Sequence, residues 1–327
     1  MTEHRKVAFI ILSEVHILDL SGPIQVFYEA KTYHQIYDLQ FASIQEKQKS
    51  SSGIFLAELV FFEQIKLQKG DYCFIPGLDQ PSISTALFDQ LEQVGFWDWL
   101  RAQHAKGVTI CSVCNGAFIL AKAGLLDGRR CTTHWKMTQL LAKQFPKTKV
   151  QEDCIYTEDR GVFTSAGVAS GIDMSLAILE KNHGALFAAK VSHELVIYMR
   201  RNGLEPQKSV YLEYRNHVHN GVHRVQDWLV EHLDQKTTIE QLAALANMSA
   251  RNLTRIFRKV TGISINEFQR LLRIEKAQQL LQQTNLTIEH IAQQCGFENP
   301  RQFRRIWKAE IGNLPSAFRK ETIATNS

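Results

Sequence analysis

The chain predicts a doubly wound α/β domain followed by an all-α domain that carries two helix-turn-helix motifs. Three observations predict it. Over roughly the first 200 residues, strand-like apolar runs alternate with helical patterns, the signature of a mostly parallel sheet with covering helices. From about residue 219 the apolar spacing is helical throughout. Within that tail, residues 237–270 and 286–320 are two copies of one pattern.

In the first domain, Val7–Leu12 reads as a buried strand. Ser21-Gly22-Pro23 reads as a helix start, with Pro near the first helical position. Leu39–Ile44 and Ile54–Phe62 read as strands, and Tyr72–Ile75 as a short buried strand ending at Pro76-Gly77. A helix carrying Phe96, Trp97, Trp99 and Leu100 follows. Val108–Cys111 is another strand and runs straight into a helix over Gly116–Ala123. In such folds, ligand sites lie beyond the carboxyl ends of the strands. Residues 203–218 lose apolar periodicity and gain Gly, Pro and polar groups, so the domains are placed at 5–202 and 219–322 with a linker between.

In the second domain, Val222, Val225, Trp228, Leu229 and Leu233 form an amphipathic helix ahead of the repeat. Thr238-Ile239-Glu240 recurs as Thr287-Ile288-Glu289, and Leu242-Ala243 as Ile291-Ala292, at an offset of 49. After one inserted residue the offset is 50, and Leu253, Ile256, Phe257, Gly262 and Phe268 match Phe303, Ile306, Trp307, Gly312 and Phe318. Ser249 and Asn299 are suited to cap the second helix of each copy, Asn299 being followed by Pro300. A connecting helix started by Ser264, of ~17 residues, spans roughly 26 Å at 1.5 Å per residue. That could hold two reading helices about one DNA turn apart, ~34 Å.

Charge follows the same division. The formal net charge of +5 resides in residues 219–327, which hold 15 Lys and Arg against 10 Asp and Glu; residues 1–218 hold 23 of each. A polyanion is attracted to the tail. No apolar run reaches the ~18 residues of a membrane span. The opening apolar run is followed at once by Glu14, His16 and Asp19, which argues against a signal peptide and for a cytoplasmic protein. A disulfide framework is not expected of the six cysteines. Cys111 and Cys114 form a C-x-x-C, but Cys111 falls inside a strand and no second pair lies at zinc-finger spacing, so no metal or cofactor is expected. His217, His219 and His223 read as solvated linker surface.

On the outer face of the second helix of each copy stand Arg251, Asn252, Thr254, Arg255 and Arg258, and Arg301, Gln302, Arg304 and Arg305. Arg, Asn and Gln make bidentate contacts with base edges. Two adjacent major-groove segments of double-stranded DNA are the expected partner. Residues 219–322 resemble the AraC/XylS-type double helix-turn-helix domain, carried by Ile291-Ala292-Gln293-Gln294-Cys295-Gly296-Phe297 with Phe303, Trp307, Gly312, Pro315 and Phe318. The resemblance implies a bacterial transcription regulator that reads DNA through the residues just named and can engage RNA polymerase.

Ser112-Val113-Cys114-Asn115-Gly116 has the small-x-nucleophile-x-small form of a sharp strand-to-helix elbow. A helix N-terminus there favours thiolate on Cys114. Backbone amides of Asn115 and Gly77 could form an oxyanion site, with His134 as base or ligand contact and Asp19 bonded to the thiol. Together with Leu18-Asp19-Leu20-Ser21-Gly22-Pro23, Gly124–Arg129, Thr132–Trp135 and Thr164–Gly167, these residues resemble the class I glutamine amidotransferase-like, flavodoxin-like superfamily, in the branch with intracellular proteases and isocyanide hydratases. Both domains together resemble GlxA-type regulators. That architecture implies a first domain that binds a small metabolite and forms a homodimer. Asn115 stands where proteases of the superfamily carry His, and Leu78 where they tend to carry Gly. Two readings stand: a regulator controlled by a small-molecule effector, with no enzymatic role, or a hydratase- or amidase-like enzyme using Cys114 with a DNA-binding tail.

Overall fold

The computed structural model describes residues 4–33, 37–152, 154–167, 169–197, 203 and 209–326. The chain divides into two compact units, 1–207 and 208–327.

The first unit is built on a seven-stranded sheet. Its strands are β1 (Arg5–Ile10), β2 (Tyr37–Ser43), β5 (Val60–Phe61), β6 (Tyr72–Ile75), β7 (Thr109–Val113), β10 (Tyr156–Asp159) and β11 (Val162–Ser165). The spatial order is β10-β11-β7-β6-β1-β2-β5, parallel throughout except for the antiparallel edge pair β10–β11. Two ribbons lie apart from it: β3 (Gln48–Lys49) with β4 (Phe55–Leu56), and β8 (Arg130–Cys131) with β9 (Lys149–Val150). The central strands are buried on both faces, which is why β1, β6 and β7 read as continuous apolar runs. Helices α1 (Ile17–Glu29), α2 (Thr85–Gln93), α3 (Phe96–Ala105), α4 (Gly116–Lys122), α5 (Thr138–Gln144), α6 (Ala169–His183) and α7 (Ala185–Glu194) complete the unit.

Two elements differ from expectation. Helix α1 begins at Ile17, so Pro23 stands at its seventh residue rather than near its first. Close packing sustains that position: a Cβ on Gly22 would meet Ile172 Cγ1 at 2.9 Å, and one on Gly171 would meet Pro23 Cγ at 3.4 Å. The expected strand Ile54–Phe62 is broken into β4, β5 and a 3-10 turn at Phe62–Gln64. Glu58 adopts φ 61°, and the halves on either side pair with different strands, β3 and β2.

The second unit is helical: α8 (Val210–Glu213), α9 (Asn220–Glu231), α10 (Ile239–Ala246), α11 (Ala250–Thr261), α12 (Ile265–Gln283), α13 (Ile288–Gln294), α14 (Pro300–Ile311) and α15 (Pro315–Asn326). Of the segment read as a linker, 204–208 lie outside the described residues. The rest is not featureless, for Val210, Tyr211 and Tyr214 pack against the core of the first copy. Asp227 holds Arg215 at 2.6 and 3.1 Å and accepts from Tyr211 Oη at 2.8 Å. The histidines expected as solvated surface are half-buried instead. His217 and His223 stack with ring centroids 4.6 Å apart, and His219 caps α9 by accepting from Val222 N.

Each copy has its own core. Val222, Val225, Leu229, Leu242, Leu253 and Phe257 form one; Ile291, Ala292, Cys295, Phe303 and Trp307 form the other. Helix α12 serves both, giving Ile265, Phe268 and Leu272 to the first and Ile274, Ala277 and Leu281 to the second. Its 19 residues span ~28 Å. Ser264 caps it by accepting from Glu267 N at 3.2 Å.

Candidate nucleic-acid interface and thiol pocket

The reading helices α11 and α14 are both twelve residues long and both end on a left-handed glycine, Gly262 (φ 81°) and Gly312 (φ 89°). Each starts on a side-chain cap. Ser249 Oγ accepts from Asn252 N at 3.3 Å, and Asn299 Oδ1 from Gln302 N at 2.8 Å. Leu253 and Phe257, and Phe303 and Trp307, are fully buried. The intervening Arg251, Thr254, Arg255, Arg258 and Lys259 are exposed, as are Arg301, Arg304, Arg305 and Lys308. Over the first nine positions the two burial patterns are identical.

The polar side chains are not all equally available. Arg255 Nη2 donates to Asn252 Oδ1 at 2.9 Å, which stiffens an arginine on the exposed face. Thr254 Oγ1 donates to Ala250 O at 2.9 Å. In the second copy Gln302 Oε1 accepts from Glu298 N at 2.9 Å, and Arg304 Nη2 donates to Glu289 Oε1 at 2.7 Å. Gln302 is thus engaged in holding the turn. A groove of about 760 Å³ runs along α11, lined by Arg251, Arg255, Arg258 and Lys259 with Ile239 and Glu240.

In the first unit, Cys114 stands at the carboxyl end of β7 with φ 56°, a strained conformation for a residue with a side chain. Its backbone is tied on both sides: Cys114 N donates to Ser165 O at 2.9 Å, and Thr133 Oγ1 donates to Cys114 O at 2.8 Å. Glycines make the turn feasible. A Cβ on Gly77 would lie 2.3 Å from Asp19 Oδ2, and one on Gly167 would lie 2.6 Å from Cys114 Cβ. Asp19, Gly77, Cys114 and Asn115 therefore converge on one point beyond the ends of β1, β6 and β7. Asp19 comes from the first turn of α1 rather than from a loop after the strand, and it is 1% exposed.

Asn115, which stands in place of the protease His, has a structural use. Its Nδ2 donates to Leu78 O, and its Oδ1 accepts from Leu78 N, each at 2.7 Å. It latches the Pro76–Leu78 turn to the elbow. The Asn115 amide is directed at the Cys114 sulfur.

The surroundings of Cys114 disfavour the expected thiolate. Burial, then the neighbouring Asp19 carboxylate, push the Cys114 thiol up to about 12, outweighing the Asn115 amide that pulls the other way. All six cysteines are free and buried. His134 is half-buried, and its Nδ1 accepts from Lys136 N at 3.4 Å. Among the described residues no hydrogen bond joins it to Cys114. Burial and Lys136 hold it below the ordinary histidine value, against the pull of Asp19.

Sequence reasoning passed over two residues near these sites. His16, the N-cap of α1, faces Asp19 with Nδ1 3.4 Å from Oδ2, an i,i+3 spacing visible in the sequence once α1 is known to start at Ile17. Glu289 pairs with Arg304, a relation invisible without the turn geometry.

Comparison with known proteins agrees with both units. The DJ-1/PfpI family matches residues 5–181, and a helix-turn-helix domain matches residues 242–321. The HTH-type transcriptional regulator CdhR of Pseudomonas aeruginosa is 31% identical over 255 residues, covering 77% of this chain and 73% of its own length. The HTH-type transcriptional regulator GlxA of Rhizobium meliloti is 30% identical over 223 residues, covering 68% of each. Among solved structures, a ThiJ/PfpI family protein from Pseudomonas syringae matches with a TM-score of 0.53 at 21% identity, over 76% of this chain and 92% of its own, a likeness of fold alone. Among the described residues no helix is long and apolar enough to cross a membrane. With a DJ-1/PfpI domain in front of two capped, basic helix-turn-helix copies, the chain belongs to the GlxA-type HTH transcriptional regulators, which makes it a DNA-binding regulator.

Proposed function

We propose that this protein is a cytoplasmic homodimer whose grip on DNA is set by a small molecule bound in the first domain. In this reading each chain reads two adjacent major-groove segments with Arg251, Asn252, Thr254, Arg255 and Arg258, and with Arg301, Arg304 and Arg305, while Gln302 supports the turn before α14. Once bound, it engages RNA polymerase. The observation that carries the DNA part is the matched exposure of α11 and α14 on a shared α12 beam. The effector part is supported by Asp19, Gly77, Cys114 and Asn115 meeting at one point, with His134 coupled to Asp19 nearby. A cleft of about 350 Å³ lies elsewhere in the same domain, lined by Gln80, Ile83, Phe118, Met137, Leu140 and Gln144 and by none of the elbow residues. A buried Cys114 thiol raised by its surroundings, with an Asn115 side chain spent on the Leu78 backbone, supports a sensor over a nucleophile.

The test uses the full-length protein and duplexes selected by it from a random pool. Arg255→Ala and Arg305→Ala should each weaken the selected site by ~1–3 kcal/mol, about 5- to 150-fold, and relax base preference at separate positions one helical turn apart. Wild-type affinity in both variants would remove α11 and α14 from the interface. For the effector, a metabolite thermal-shift screen on wild type and Cys114→Ala should yield compounds that stabilise only the former. Sedimentation tests the dimer.

A further inference from the structure

We infer that the elbow of the first domain is a metal site, in which Cys114, Asp19 and His16 hold one borderline divalent cation of the Zn2+ or Co2+ class. The donor atoms of these three side chains lie within 4.8 Å of one another, which among the described residues is the one such grouping of three. They supply sulfur, oxygen and nitrogen, the mixture that suits Zn2+ and not the all-oxygen preference of Mg2+ or Ca2+. A four-coordinate ion with bonds of ~2.0–2.3 Å spaces its ligands roughly 3.3–3.8 Å apart. The His16–Asp19 pair is already at 3.4 Å, and no pair of donors is more than 4.8 Å apart, so any closure required is at most about 1 Å.

The donors are held before any ion arrives. Cys114 is fixed by the elbow, Asp19 by the first turn of α1, and His16 by its backbone amide on Gly77 O at 2.8 Å. The back of the site is closed by Gly77 and Gly167, where any added Cβ would strike Asp19 Oδ2 at 2.3 Å or Cys114 Sγ at 2.9 Å. His16 is the one partly exposed member, so a fourth position opens on its side. An outer carboxylate also stands where metal-bound histidines commonly have one: His16 Nδ1 faces Asp19, while Nε2 lies 4.0 Å from Asp79 Oδ1. Charge balances as well. On binding, the Cys114 S–H bond breaks, its proton leaves to solvent and a sulfur–metal bond forms, with no oxidation or reduction. One thiolate, one carboxylate and a neutral imidazole then match a dication in a buried site.

The experiment titrates Co2+ alone into the full-length, reduced protein and follows thiolate-to-Co2+ charge-transfer absorption. One equivalent should develop the band, and Zn2+ should abolish it. Cys114→Ser should lose the band altogether. His16→Gln, at a partly exposed position where folding is not at stake, should weaken Co2+ at least tenfold, and Asp79→Asn should weaken it less. The histidines of the second domain, which carry no thiolate, cannot mimic this signal. A wild type without the band, a band that survives in Cys114→Ser, or unchanged affinity in His16→Gln would each overturn the inference. DNA binding by the same samples is read separately, so failure here leaves the regulatory reading intact.

Discussion

The two helix-turn-helix copies share burial, capping positions and terminal glycines, yet they commit their polar side chains differently. Alignment places the inserted residue of the second copy at Glu298, between Phe297 and Asn299. That longer turn needs support. Its backbone amide at Glu298 is bonded by Gln302, and the Glu298 side chain reaches Lys236 at 2.9 Å. Asn252, the counterpart of Gln302, has no such duty and braces Arg255 instead. Likewise Thr254 matches Arg304, so Glu289 has an arginine to hold while its counterpart Glu240 does not. A repeated fold therefore gives two unequal reading surfaces: a first copy with its polar face turned outward, and a second that spends part of that face on its own turn.

The largest effects should come from the two cores. Phe257 and Trp307 are fully buried in separate clusters. Phe257→Ala and Trp307→Ala should each cost ~3–5 kcal/mol. Hydrogen exchange on the full-length protein should show protection lost mainly in the mutated copy, with α12 weakened over the half that faces it. Equal loss across both copies in either variant would show that α12 welds them into one cooperative unit, and the comparison would have to be recast.

An intermediate effect separates reading from support. Gln302→Ala removes a hydrogen bond that holds a turn, so it should destabilise the second copy by ~0.5–1.5 kcal/mol while leaving base preference largely as it was. Asn252→Ala should do the reverse, shifting preference at the position read by Arg255 with little change in melting. Denaturant melts paired with selection from a random duplex pool decide the matter. Swapped outcomes would mean that Gln302 reads DNA and that its bond to Glu298 N breaks on binding.

Much of this was legible in the sequence, and the reasons differ by element. Strand β6 falls on Tyr72–Ile75 as read, because a short apolar run bounded by Pro76-Gly77 leaves little choice. The caps Ser249 and Asn299 were visible because a hydroxyl or amide before an amphipathic run has one natural use. The start of α1 was hidden by Pro23, whose usual place is the first turn; tertiary packing with α6 overrides that preference. The break at Glu58 depends on two different strand partners, and no local pattern records pairing. At the elbow, residue types announced a nucleophile. Its protonation state follows instead from burial and from Asp19 being folded against it. His16 and Glu289 escaped notice because each acquires meaning only from a neighbour brought in by a turn.

The smallest effect is the sharpest probe of the asymmetry. Glu289 and Arg304 are both about half exposed, at 57% and 50%, so their pair contributes at most ~1 kcal/mol to stability and fades with salt. Its consequence lies in where Arg304 points. Glu289→Gln removes a negative charge from the face proposed to meet DNA and releases the guanidinium. Glu240→Gln removes the equivalent charge in the first copy, where Thr254 offers no cation to release. Both variants should bind duplex DNA a few-fold more tightly at low salt through the common electrostatic gain. Only Glu289→Gln should also change base preference, at the position Arg304 contacts, because only there does a side chain lose its brace. Competition between the selected site and random duplex, at two salt concentrations, separates the shared gain from the specific one. Identical profiles for the two variants would mean that Glu289 does not position Arg304, and the two reading helices would differ only in the turn that precedes them.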